Sequence, residues 1–112
     1  MERDDLAFAG AARQADMIRR GEVSSRELVE LYLDRIRRLD PELNAFRTVL
    51  DERALVDAAQ ADARRGAGDD RPLLGVPIAI KDTEDIGGEV TTLGTAASVS
   101  YTHLTLPTIC SV

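Results

Sequence analysis

Lysine is the first residue type to consider for chemistry, because this chain contains only one. Fourteen of the 112 residues are Lys or Arg, and Lys81 is the single lysine among them. Arginine stays protonated in proteins, whereas a buried lysine can lose its proton and act as a general base or a nucleophile. Lys81 follows the apolar run VPIAI at residues 76–80, which predicts a short buried strand. A lysine fixed at the end of such a strand is well placed for proton transfer.

A structural role for Lys81 is the alternative. A lysine that follows a strand often only contacts solvent. The neighbouring acids Asp82, Glu84 and Asp85 are also close enough in sequence to hold Lys81 as a charged ion pair.

Few other residues offer a reactive side chain. Ser24 and Ser25 open the pattern Ser-Ser-Arg-Glu, which is typical of a helix capping box, and a cap accounts for both of them. His103 and Cys110 could form a metal pair or a base and nucleophile. Two ligands do not make a zinc site, so no metal site is predicted.

Three amphipathic helices are predicted ahead of the lysine, from apolar residues that recur at helical spacing. They are expected over residues 5–20, from the Ser24 cap to a stop at Asp40-Pro41, and over residues 52–65. Gly21 is predicted to end the first helix, and Asp51 and Gly66 to cap the third.

The remaining segments are predicted as strands and loops. Residues 44–50 are expected to form a short strand, in addition to residues 76–80. Residues 66–72 are predicted to form a loop, and Gly87-Gly88 is predicted to form a turn.

Composition excludes several classes of protein. The net charge of −6 argues against nucleic acid or an anionic membrane as a partner. No apolar run approaches the ~20 residues that span a membrane, and the acidic start of the chain does not resemble a secretory signal. A single cysteine cannot form an internal disulfide. Together these features predict a cytoplasmic protein.

Two separated stretches resemble the amidase signature family, in the order that the family has them. LLGVPIAIKDTEDIGGEVTTLGT, residues 73–95, resembles the lysine motif of that family. GEVSSRELVELYLDRIRRLDPELNAF, residues 21–46, resembles its N-terminal helical region. The resemblance covers about residues 6–97.

The resemblance implies a fold and a mechanism. The fold would be α/β, with a mixed central sheet flanked by helices, of which this chain would supply the first helices and strands. The family uses a Ser–Ser–Lys triad to hydrolyse the carbon–nitrogen bond of a small-molecule amide. Lys81 would be the catalytic base, acting through a bridging serine on a second, nucleophilic serine. The resemblance implies neither a metal nor an organic cofactor.

The two serines of the triad belong to a Gly/Ser-rich motif downstream of the lysine, and these 112 residues contain no such motif. Ser98 and Ser100 lie too close to Lys81 and lack flanking glycines. We therefore expect residues 1–97 to be the N-terminal part of an amidase domain. The stretch 99–108, VSYTHLTLPT, resembles the translation of a sequencing-library adapter, so residues 98–112 are expected to be a non-native tail.

Alternative functions stay open at this point. One is the A subunit of the glutamyl-tRNA(Gln) amidotransferase, which belongs to the same family and needs partner subunits. A second is a helical interaction module without chemistry, and a third is a Schiff-base lysine enzyme. The chain by itself is expected to be inactive and poorly stable, since the VPIAI segment would lack sheet neighbours. The sequence makes no prediction of oligomeric state.

Overall fold

The computed structural model describes residues 2–81, and these form four helices. They are α1 (Arg3–Ala7), α2 (Ala11–Arg19), α3 (Ser25–Leu43) and α4 (Asp51–Gly66). No strand is present among residues 2–81, where Ile78 alone has the geometry of a single β-bridge. The predicted turn at 87–88 and the predicted tail at 98–112 lie outside the described residues.

The helix α3 is central, because opposite sides of it contribute to two apolar clusters. Leu28 packs with Ala15 and Ile18 of α2, and with Val76 from the segment that leads to the lysine. Val29 and Leu33 pack against Ala54 and Ala58 of α4. Leu28 and Val29 are both 0% exposed. Burial of two faces of one helix explains why its apolar stripe is wider than a single row.

The predicted helix over residues 5–20 is two helices, so that prediction was wrong. The carbonyl of Leu6 accepts a hydrogen bond from the buried side chain of Gln14 at 3.0 Å. The carbonyl of Ala7 accepts one from the Tyr32 hydroxyl at 2.8 Å. These two carbonyls are therefore satisfied by side chains, and the chain turns at Gly10 with a φ of 89° before α2 begins.

The predicted stop at Asp40-Pro41 was also wrong, because α3 continues to Leu43 with Pro41 inside it. Proline lacks an N–H, so Pro41 removes one hydrogen bond from the helix. The helix ends two residues later, at Leu43. Asn44 then takes the left-handed conformation, with φ 52° and ψ 41°. The Asp40 carboxylate accepts hydrogen bonds from the backbone N–H groups of Ala45 and Phe46 at 2.6 and 3.2 Å. That carboxylate satisfies the backbone immediately beyond the helix.

Some of the other predicted elements are confirmed, and others are wrong. The helix predicted at 52–65 is confirmed as α4, and Gly21 follows α2 with a positive φ of 75°. The cap predicted at Asp51 is wrong, because no side chain caps the start of α4, and the Asp51 carboxylate accepts the N–H of the adjacent Glu52. The strand predicted at 44–50 is absent, and residues 76–80 do not form one. A strand needs a paired neighbour, which neither of these segments supplies to the other.

The first turn of α3 is held by a residue from another helix. Ser24 caps the helix as predicted, because its hydroxyl accepts the Glu27 N–H at 3.0 Å. The carboxylate of Asp62, on α4, accepts the N–H groups of Ser25 at 2.8 Å and Arg26 at 3.2 Å. Asp62 therefore satisfies two N–H groups that have no partner within the helix, and its negative charge suits the positive end of the helix dipole.

Replacing Asp62 with Ala should lower the free energy of unfolding by about 1–2 kcal/mol, because two N–H groups of α3 lose their acceptor. The measurement is urea unfolding of the 112-residue chain, followed by circular dichroism. Glu30→Ala is the matched control, since it removes only an exposed ion pair with Arg26 at 3.0 Å. Such a pair contributes at most about 1 kcal/mol. Equal losses in the two variants would contradict the capping role of Asp62.

An ion pair orders the loop after α4. Arg71 donates side-chain hydrogen bonds to Asp69, the shortest at 2.6 Å, and its backbone N–H donates a further one at 3.1 Å. These bonds favour the ionised carboxylate, and they lower the pKa of Asp69 from 3.8 to about 2.

The Arg71→Ala variant should raise the pKa of Asp69 toward its ordinary value, as measured by NMR titration of the carboxyl carbon. The sign follows from linkage. Because the folded-state pKa is lower than the unfolded one, this pair stabilises the fold above the unfolded pKa near 4 and loses that effect as pH falls toward 2. An unchanged Asp69 titration in the variant would rule out Arg71 as the cause.

Candidate active site

The segment that carries the lysine begins as a tightly held turn and ends at the surface. Val76 is buried in the cluster with Leu28 and Ile18. Beyond it the segment emerges, with Ile78 41% exposed, and Lys81 is exposed. The predicted buried strand is therefore wrong, and Val76 is the one residue of 76–80 that is buried. The acids that follow Lys81 lie outside the described residues, as do Ser98, Ser100, His103 and Cys110.

Gly75 is the point where this segment meets the helices. Its φ is +89°, in the left-handed region that glycine adopts readily and other residues rarely adopt. A Cβ atom at this position would lie 3.1 Å from the Cβ of Ser25 and 3.4 Å from the Cδ1 of Ile18. The backbone thus lies so close to the first turn of α3 that a side chain at position 75 would force Ser25 to shift by a few tenths of an ångström.

A hydrogen bond closes the same contact. The Ser25 hydroxyl donates to the carbonyl oxygen of Gly75 at 2.5 Å. Ser25 was expected to belong to the helix cap, but Ser24 alone provides the capping hydroxyl, and Ser25 instead connects α3 to the lysine segment.

A second connection precedes the glycine by three residues. The Arg19 side chain, at the end of α2, donates to the carbonyl of Pro72 at 3.2 Å. Leu74 and Val76 then donate their backbone N–H groups to the carbonyls of Arg71 and Leu73, which closes a compact turn over residues 71–76. The turn and its two connections determine where the lysine segment leaves the helices.

An open apolar groove of about 300 Å³ lies beside the segment. One wall is the second half of α3, and the opposite wall is Pro77, Ile78 and Ala79. Exposed apolar side chains of this groove include Leu39 and Leu43. Lys81 follows the last lining residue by two positions but is not itself part of the lining. Among residues 2–81 there is no cluster of three acidic, His or Cys side chains suited to a metal.

The sequence analysis did not predict the three residues that join the first turn of α3 to α4 and to the lysine segment: Ser25, Asp62 and Gly75. The role of Ser25 was not predicted, because a helix cap already explains a serine pair before Arg-Glu. Asp62 gave no signal, since its partners are 37 and 36 positions away in sequence. Gly75 did have a sequence signal, because a glycine directly before a buried apolar run often marks a close approach of the backbone to another element.

Comparison with known proteins identifies the family. The family model described as Amidase matches residues 27–104. That range includes most of α3, all of α4 and Lys81. The chain belongs to the amidase family.

Curated relatives agree with this assignment. AmiB2 of Mycobacterium tuberculosis, a candidate amidase, is 55% identical over 96 residues, which cover 86% of this chain and 21% of the relative. The A subunit of the glutamyl-tRNA(Gln) amidotransferase from Chromohalobacter salexigens is 49% identical over 84 residues, covering 75% of this chain and 17% of the relative. The chain therefore spans about a fifth of the length of the relatives it matches.

Solved structures resemble the fold as well. One is a chain from an unexpected vestigial protein complex that reveals the evolutionary origins of an s-triazine catabolic enzyme. It aligns with a TM-score of 0.77 and 31% identity, over 89% of this chain and 21% of its own. The inhibitor-bound form of that complex aligns with a TM-score of 0.75 and 29% identity. The helices described above are thus part of an amidase fold, although no sheet is present in the described part. None of the helices within residues 2–81 has the length and apolar content needed to cross a membrane.

Substituting Gly75 with Ala should destabilise the chain more than substituting Gly68 with Ala. Both glycines have a positive φ, near +90°, so both variants incur a backbone cost of about 1–2 kcal/mol. Only at position 75 does the added methyl group meet other atoms, and overpacking of this kind costs a further 1–3 kcal/mol or so. Thermal and urea unfolding measure the difference. Equal destabilisation would mean that the contact with Ser25 is not tight.

Proposed function

We propose that this chain is part of an amidase that hydrolyses the carbon–nitrogen bond of a small carboxamide, with Lys81 as the catalytic base. The observation that carries the proposal is the position of Lys81 within the family match, in the stretch that resembles the lysine motif. The single lysine of an otherwise arginine-based chain also suits a role that requires deprotonation.

The chemistry assigned to Lys81 is proton transfer. A neutral amine accepts the proton of a bridging serine, which in turn takes the proton of a second serine as that residue attacks the amide carbonyl. The resulting acyl-enzyme is then hydrolysed by water. Both serines would come from a downstream Gly/Ser-rich loop, whose backbone N–H groups would stabilise the developing oxyanion. No step of this mechanism uses a metal or an organic cofactor.

The active form of the protein would be a polypeptide longer than these 112 residues. Support comes from the apolar side chains that the described structure leaves exposed. Leu39, Leu43 and Ile78 are between 41% and 69% exposed and all line the groove. Further sheet and helix segments would cover them in an amidase fold. On this proposal residues 98–112 are a non-native tail, and the isolated chain is inactive.

A second candidate is favoured by a specific similarity. The matched A subunits belong to glutamyl-tRNA(Gln) amidotransferases. An enzyme of that type would release ammonia from glutamine and would work with partner subunits. It would use Lys81 in the same way, so the two candidates differ in substrate and not in the base. Glutamine, tested beside simple aryl and alkyl amides, discriminates between them.

Replacing Lys81 with Met should reduce amide hydrolysis by the full-length gene product by about 10²–10⁴-fold, because the general base is lost. Lys81→Arg should be equally impaired, since arginine keeps the positive charge but does not release its proton. The assay measures ammonia release from a panel of amides, together with circular dichroism to verify folding.

Arg64→Met is the matched control, because Arg64 is an exposed basic residue of α4 that lies outside the motif at residues 73–95. It should retain near-normal rates. A Lys81→Met variant with near-normal rates would remove Lys81 from the mechanism. Lys81→Arg with full activity would show that a charged side chain, and not a base, is needed at position 81.

A further inference from the structure

We infer that Ser25 is a positioning residue for Lys81: its buried hydroxyl fixes the start of the segment that carries the lysine. The inference rests on the proposed function, since it assumes that the placement of Lys81 matters for catalysis. It assigns to Ser25 no contact with substrate and no part in the triad.

The hydroxyl of Ser25 has one partner within the described structure. Ser25 is 1% exposed, so water cannot serve its donor, and a buried donor without a partner is costly. Its O–H group donates to the Gly75 carbonyl at 2.5 Å, a short bond for a neutral pair. Because this proton is engaged and the group is buried, Ser25 is not placed to act as a nucleophile.

The helix cap does not need this hydroxyl. Ser24 already supplies the capping oxygen, to Glu27 N–H. The backbone N–H of Ser25 is bonded to the Asp62 carboxylate at 2.8 Å, and this holds Ser25 in place from α4. The side chain of Ser25 therefore connects a fixed point in the helical core to the backbone of residue 75.

Loss of the hydrogen bond between Ser25 and Gly75 would change the position of Lys81. Lys81 lies six residues after Gly75, and the segment between them is buried at Val76 but emerges toward solvent at Ile78 and Ala79. Between these two ends, the contacts at Gly75 and Val76 set the direction in which the segment leaves the core. Reaction rates are sensitive to such changes, since a displacement of about 1 Å can cost about 10²-fold.

The test compares Ser25→Ala with Ser24→Ala in the full-length gene product. Ser24→Ala removes a hydrogen bond from the same turn of α3 but leaves Gly75 untouched, so it serves as a matched control. We expect Ser25→Ala to lower kcat by about 10–100-fold with KM changed less than about twofold. Ser24→Ala should leave both parameters near normal. If Lys81→Met is inactive in the same assay, equal kcat values for Ser25→Ala and Ser24→Ala would overturn the inference.

Hydrogen exchange provides a readout that does not depend on activity. In the 112-residue chain, Ser25→Ala should speed exchange of the Val76 N–H, which is bonded to the Leu73 carbonyl at 3.2 Å. Ser24→Ala should instead affect the Glu27 N–H. If Ser25→Ala fails to fold, Ser25→Cys takes its place, because a thiol is a weaker donor than a hydroxyl. Unchanged exchange at Val76 would overturn the anchoring role even if Lys81 proves essential. An active Lys81→Met variant would instead remove Lys81 from the proposed mechanism.

Discussion

The first turn of α3 is the constraint on which the described structure depends. Helix starts leave backbone N–H groups without partners inside the helix, and these groups need acceptors when they are buried. Here Ser24 supplies one acceptor locally, and Asp62 supplies two more from α4. The side chain of Ser25 then extends the same turn to the carbonyl of Gly75. One helix end therefore joins α4 and the lysine segment to the central helix.

The apolar packing follows the same geometry. Leu28, one turn after Ser25, packs against Ile18 of α2 and Val76 of the lysine segment. Val29 is directed to the other side and packs against Ala54 and other residues of α4. Small alanine side chains on α4 allow close approach of the two helices, which in turn brings Asp62 within hydrogen-bonding distance of the α3 terminus. Packing and capping are thus mutually dependent, because each requires the separation that the other sets.

The lysine itself lies at the edge of this framework. Helices fix the segment at Gly75 and Val76, and the residues that follow reach the surface beside an apolar groove. The family match and the structural likeness place these helices in an amidase fold. The chain spans about a fifth of the length of the relatives that it matches. The role of Lys81 in hydrolysis remains our proposal.

The sequence by itself determined the features that depend on near neighbours. Periodic apolar residues predicted α3 and α4, Ser24 predicted a cap, and the motif around Lys81 predicted the family. Each of these signals lies within a few residues of the feature it specifies. Tertiary structure decided the rest. The break before α2 depends on Tyr32, which is 25 positions from its acceptor, and the anchor at Gly75 depends on Ser25, which is 50 positions away. Residues at such distances come together only after the helices have packed, so no local pattern records which donor will meet which acceptor.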